Sequence, residues 1–186
     1  MMYYRVFFGE GAWASLLDDG EIYLAMQFIE PGFYDQDDPI KIVPEKISMY
    51  FDRREYSAIA EFPYSGTRTF VCRPDITNIF GKMFEQTCRT MNVNVENSLF
   101  NLHIVDNELD AIDWELSKYT FSGENKNVPR FKKLLLRPDF ETEIDIFRLV
   151  GSPACRLQII VSENFKRIYD ENKFTGLRFA KARSLS

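Results

Sequence analysis

The stretch Leu157-Gln158-Ile159-Ile160-Val161-Ser162-Glu163-Asn164-Phe165-Lys166-Arg167-Ile168-Tyr169 changes its periodicity at a single residue. Leu157 to Val161 is a short apolar run of the kind that fills a buried strand. Beyond Ser162 the apolar positions fall three and four apart, at Phe165, Ile168 and Tyr169, and make one side of a short helix. Ser162 stands where an N-cap belongs, because its hydroxyl can accept a backbone N–H of the first turn. Glu163 follows at the end of the helix where negative charge is favoured. Gly176 reads as the end of that helix, since glycine enters a left-handed turn at least cost. Leu177 to Phe179 then returns as a strand. A strand, a helix and a strand in immediate succession, with more strands upstream, predict an α+β class. The sheets are mostly antiparallel, a few helices pack on one side, and the N-terminal third is strand-rich.

Working outward, Tyr3 to Phe8, Glu21 to Ile29 and Ile47 to Phe51 are rich in aromatic and β-branched residues and read as strands. A helix follows Pro74-Asp75. Ile76, Ile79, Phe80, Met83 and Phe84 form one helical stripe, with Asp75 as its cap and Gly81 as a weak point. Residues 99–105 and 110–116 read as a hairpin joined at Asp106-Asn107-Glu108. Residues 122–128 read as a loop, and Phe131 to Leu136 and Ile144 to Val150 as extended segments, with a turn at Gly151-Ser152-Pro153.

The 186 residues are 45% hydrophobic and 15% aromatic, which excludes disorder for most of the chain. The net charge of −5 argues against nucleic-acid binding, which wants a basic face. Residues 1–52 hold ten acids against three bases, a net of −7, while the remainder is nearly neutral. This asymmetry suggests a strand-rich acidic lobe over residues 1–66 and an α+β unit over 67–186. One continuous domain is the alternative, because no Pro/Gly/Ser linker divides them. No apolar run approaches the roughly 18 residues that a membrane span needs. The N-terminus lacks the pattern of a secretory signal. A cytoplasmic protein with no membrane contact is therefore expected. Cys72, Cys88 and Cys155 are odd in number and lack metal-ligand spacing, so reduced, buried thiols are expected.

Enzymatic chemistry finds little footing. His103 is the sole histidine, which excludes a His-rich metal site, and no G-x-S-x-G elbow presents a serine. Phosphate-binding glycine loops are absent. Asp35-Gln36-Asp37-Asp38 invites a calcium reading, but Ile40 and Lys46 stand where an EF-hand needs glycine and glutamate. The cluster Asp106, Glu108, Asp110, Asp113 and Glu115 reads as the wet face of the hairpin. The basic run Lys126, Arg130, Lys132, Lys133 and Arg137, with Phe131 inside it, reads as a solvated face in the absence of an RNA-binding motif. Neither cofactor, metal nor catalytic residue is expected.

Three segments carry a family pattern. They are Ile144-Asp145-Ile146-Phe147-Arg148-Leu149, then Ile159-Ile160-Val161-Ser162-Glu163-Asn164-Phe165-Lys166, then Asn172-Lys173-Phe174-Thr175-Gly176-Leu177-Arg178-Phe179. With Leu109-Asp110-Ala111-Ile112-Asp113-Trp114-Glu115 and Ser117, these resemble a family of immunity proteins from bacterial polymorphic toxin systems, the type called immunity protein eleven. The resemblance covers roughly residues 70 to 180, and the closing Thr-Gly-Leu-Arg-Phe segment is its most specific part.

The resemblance implies a protein that binds a cognate toxin or effector and neutralises it by steric occlusion. It brings no catalytic residues: Phe147, Phe165, Phe174 and Phe179 read as core, Ser162 as a cap and Gly176 as a backbone requirement. A partner interface of roughly 1,600 Å² would be anchored by exposed aromatics with a charged rim. Phe33 and Tyr34 beside Asp35, Asp37 and Asp38 fit that description and suit a basic partner. Unpaired strand edges also allow a homodimer. The competing readings are a small cytosolic enzyme, marked by His103 touching a cysteine or by a pocket with two carboxylates, and a regulatory or scaffold module with a harmless partner. Replacing Asp35, Asp37 and Asp38 with Asn is expected to slow association with the toxin about tenfold at low salt. Unchanged association rates in stopped flow would reject the loop.

Overall fold

The computed structural model describes residues 1–9, 13–16, 47–52, 59–63, 68–122 and 128–182. The segment 21–29 and the residues Phe33, Tyr34, Asp35, Asp37 and Asp38 lie outside them. Among the described residues the strands are β1 (Tyr3–Phe8), β2 (Trp13–Leu16), β3 (Ile47–Asp52), β4 (Thr69–Cys72), β5 (Cys88–Val95), β6 (Ser98–Val105), β7 (Glu108–Leu109), β8 (Lys118–Ser122), β9 (Val128–Lys133), β10 (Ile146–Leu149), β11 (Ile159–Ser162) and β12 (Leu177–Lys181). The helices are α1 (Pro74–Phe80), α2 (Lys82–Thr87), α3 (Pro153–Arg156) and α4 (Glu163–Glu171). The class is α+β.

One sheet has the order β12-β1-β11-β10-β7, a second the order β2-β3-β5-β6-β4, and β8 and β9 form a two-stranded ribbon. Pairing is antiparallel except for β10 with β7 and β3 with β5. The first strand therefore lies between the last two, with Tyr4 opposite Val161 on one side and Lys181 on the other. All four residues of β11 are buried, as in strands covered on both faces. Ile159 and Val161 enter a core shared with α1, α2, α4 and β4, and Ile160 enters another with Leu134, Leu136, Phe147 and Leu149.

The first of these cores is rich in aromatic rings. Phe62 is fully buried. Its ring centroid lies 6.2 Å from Phe70, 5.7 Å from Phe80, 5.7 Å from Tyr169 and 5.8 Å from Phe174. Phe165 packs 4.6 Å from Phe80. Aromatic pairs at these separations stabilise beyond the area they bury.

The local chemistry confirms the Ser162 cap: its hydroxyl accepts the Phe165 N–H at 3.2 Å and donates to the Asp145 carboxylate. Gly176 has a different task from the one expected. Helix α4 already ends at Glu171, and Lys173 takes the left-handed position at φ 55°. Gly176, at φ 102°, lies against the backbone of Phe62. A Cβ there would sit 2.8 Å from the Phe62 carbonyl carbon and 2.9 Å from Ala60 Cβ.

Other expectations change for physical reasons. The single stripe 76–84 is two helices, because Gly81 at φ 35° interrupts the ladder and leaves Ile79 45% exposed. Arg73, not Asp75, is the N-cap residue, and Asp75 pairs with it at 3.1 Å. Residues 110–116 are not a strand. Asp113 Oδ1 accepts the N–H groups of Glu115 and Leu116 at 3.0 and 2.8 Å, a local turn that competes with a ladder. Pro153 opens α3, where its fixed φ suits a helix start. Ser122 and Val128, expected in a loop, lie in β8 and β9, residues 123–127 lie outside the described residues, and the extended segment expected over 131–136 ends as a strand before Leu134.

Gly176→Ala is expected to lower the unfolding free energy by about 3 kcal/mol or more, read by urea denaturation. A loss below about 1 kcal/mol would show that the segment at Phe62 gives way.

Candidate partner-binding surface

His103, Cys72 and most of the acids singled out in the sequence are already engaged. His103 is fully buried in β6. Thr90 Oγ1 lies 2.8 Å from its Nδ1, Thr77 Oγ1 lies 2.9 Å from its Nε2, and the Phe84 ring stacks on it at 3.9 Å. Burial pulls its pKa down to about 4, so at neutral pH the ring is uncharged and serves the core. The Cys72 thiol reaches it only through Thr77, 3.5 Å from Cys72 Sγ. Burial pushes Cys72 and Cys88 up to about 12, which keeps both as thiols. A nucleophile needs the reverse shift.

Four of the five acids of the cluster are likewise engaged, and Glu115 is exposed. Asp106 pairs with Arg89 and Asp110 with Arg137, and Asp113 caps its turn. Glu108 meets Arg148 at 2.7 Å, Arg68 at 3.5 Å and Arg156 at 3.6 Å. Glu108 on β7 and the buried Arg148 on β10 thus join two strands of the first sheet, and Arg68, beside β4, links them to the second. Breaking such a pair by removing one partner strands a buried charge. Among the described residues no group of three His, Cys, Asp or Glu could hold a metal ion, and no helix is long and apolar enough to cross a membrane.

One group of exposed apolar residues gathers at the ribbon. Tyr119 stands opposite Phe131, and Phe121 opposite Pro129. Trp114 closes on this face, 5.4 Å from Tyr119 and 5.8 Å from Phe131, and Tyr119 lies 5.4 Å from Phe121. Phe131 packs on the Phe147 core, whereas Phe121, Leu116 and Trp114 are 54%, 50% and 43% exposed. Side chains alternate along a strand. The opposite face therefore carries Lys118, paired with Lys133, and Arg130, paired with Thr120. Lys132 is the extra residue at the bulge between Lys118 and Tyr119. Of the basic run, Lys126 lies outside the described residues, and Arg137 turns away to Asp110.

Sequence reasoning picked out the cations of this ribbon. It missed Trp114, Tyr119 and Phe121, although the alternation at Tyr119 and Phe121 was a strand signal. A shallow groove of about 350 Å³ also opens between Phe51, Ile59, Glu61, Arg73, Leu99 and Phe100.

Residues 89–184 match the model of the immunity protein family Imm11, a span that runs from β5 through β12 and includes the ribbon. No curated protein matches the chain.

The burial of His103 makes stability depend on pH. The folded pKa of about 4 lies below the ordinary 6.5, so the unfolded chain takes up the proton first. Stability is expected to hold above pH 6.5 and to fall as pH drops toward 4, by a total on the order of 3 kcal/mol. His103→Gln is expected to be less stable at pH 7 but to show a shallower fall over that window. Parallel curves for the two proteins in urea titrations would refute this.

Proposed function

Because this chain belongs to the Imm11 immunity protein family, we propose that it protects the cell that makes it by binding a cognate bacterial toxin of a polymorphic toxin system and occluding the toxin's working surface. The family match carries this reading. The chemistry of the fold supports it: the lone histidine is a neutral core residue, two cysteines are held as thiols, and of the 106–115 cluster Asp106, Glu108 and Asp110 are bound to arginines and Asp113 caps a turn. On this reading the chain binds in the cytoplasm and carries out no reaction of its own. On this reading Phe33, Tyr34, Asp35, Asp37 and Asp38 form one recognition loop, suited to a basic face of the toxin by complementary charge.

The test is rescue. A toxin-domain gene, sought immediately upstream of this one, is induced in a susceptible host with and without this chain. Co-expression is expected to restore growth and to yield a complex that co-elutes in size-exclusion chromatography. Growth arrest in the presence of the intact, folded chain would reject the proposal, and a stable complex with a harmless partner would favour a scaffold.

A further inference from the structure

We infer that the outer edge of β12 is a docking site for an extended, acidic segment of the protein partner, which lengthens the first sheet by one strand; this rests on the toxin-binding reading above. The register shows which backbone groups are open. β1 and β12 run antiparallel, with Arg5 opposite Ala180 and Phe7 opposite Arg178. In such a pair alternate residues bond to the neighbour, and the rest face away from it. The same register carries bonds from the Gly9 N–H to the Gly176 carbonyl at 2.7 Å and from the Ala182 N–H to the Tyr3 carbonyl at 2.9 Å. Arg178 and Ala180 therefore bond inward to β1, and Leu177, Phe179 and Lys181 turn their N–H and C=O groups outward.

Those outward groups meet different fates. The Tyr169 hydroxyl accepts the Leu177 N–H at 2.9 Å and donates to the Leu177 carbonyl at 3.3 Å, so α4 closes the first rung. Among the described residues nothing bonds the backbone of Phe179 or Lys181 on that side, and β12 stands at the end of its sheet. Arg178, Ala180 and Lys181 are exposed and Phe179 is half-buried. By contrast β7, at the other end of the same sheet, has only two residues. The N–H and C=O of Phe179 and Lys181 thus stand ready for an added strand. In that mode main-chain bonds supply affinity and alternate side chains supply choice.

Charge selects the occupant. Arg178 and Lys181 flank the open groups, and among the described residues neither enters an ion pair. Asp170 and Glu171, at the end of α4, are already matched to Lys166 and Arg167. Arg178 and Lys181 point to opposite faces of the sheet, because side chains alternate along a strand, and an added strand alternates in step with them. A single extended segment with acids three positions apart therefore meets both cations, and an apolar residue between those acids falls opposite Phe179. A second copy of this chain is disfavoured at the same edge. It would bring Arg178 and Lys181 against their own equivalents, and lysine on a short edge strand guards against such self-pairing.

The experiment uses the full chain, isotope-labelled, and the toxin from the upstream gene in an inactive form. Amide exchange is followed by NMR in the free chain and in the complex. In the free chain the Phe179 and Lys181 amides are expected to exchange about tenfold faster than those of Arg178 and Ala180, and to slow by about tenfold in the complex. Arg178→Glu is expected to weaken toxin binding about tenfold, mainly through slower association. Lys181→Pro removes an outward N–H and leaves the inner ladder intact, so it is expected to bind about tenfold more weakly than Lys181→Gln. Circular dichroism with a thermal midpoint checks the fold of each variant, and the exchange measurement stands without any of them. A complex in which the Phe179 and Lys181 amides keep their free rates overturns the docking edge and leaves the toxin reading intact. Wild-type affinity in folded Arg178→Glu, or equal affinity in folded Lys181→Pro and Lys181→Gln, does the same. Slowing that appears without toxin as the chain's own concentration rises assigns the edge to a second copy and also overturns the inference. A folded chain that neither rescues growth nor binds the toxin overturns the toxin reading and this inference with it.

Discussion

The backbone carbonyl of Phe62 occupies the space where any other residue at position 176 would place a side chain. Much of the fold follows from that approach. The Phe62 N–H donates to the Thr175 carbonyl at 3.1 Å, and the Gly9 N–H donates to the Gly176 carbonyl at 2.7 Å. These bonds bring the segment at Phe62, the end of β1 and the start of β12 together. The Phe62 side chain then reaches Phe70 of the second sheet, Phe80 of α1 and Tyr169 of α4. One glycine therefore sets the distance at which two sheets and two helices share a core. Interiors at native density do not absorb a misplaced atom cheaply.

The same compactness decides what the polar residues can do. A histidine stacked between a phenylalanine and two threonine hydroxyls is neutral and saturated. A carboxylate among three arginines is a clamp between strands. Such groups stabilise one arrangement. The ribbon carries braced aromatic rings on one face and, on the other, cations that no described acid answers. A ribbon of two strands is marginal by itself, and this one is held at its base by Phe131 in the core.

Parts of this were legible in the chain. The Ser162 cap was readable because a cap is a local bond, settled within three residues. The buried character of β11 was readable because a strand covered on both faces must be apolar at every position. The break at Gly81 and the turn at Asp113 were harder. Their stripes and alternations looked regular, and local backbone geometry overrode them. β5 went unseen: Cys88-Arg89-Thr90-Met91-Asn92 is half-exposed and polar, and its eight-residue pairing with β6 supplies what its composition does not.

By itself the sequence determined the class, the helix that follows Ser162, the aromatic origin of the core and the kinship with an immunity family. These depend on periodicity, on caps and on short motifs, all of which act between near neighbours. The tertiary structure alone decided why Gly176 must be glycine, that the first strand lies between the last two, that Glu108 gathers arginines from separate elements, and that Trp114, Tyr119 and Phe121 converge on one face. The residues in each of those contacts lie too far apart in the chain, or in too irregular a turn, for any repeat to announce them. Steric exclusion and charge pairing join them only when the sheets close.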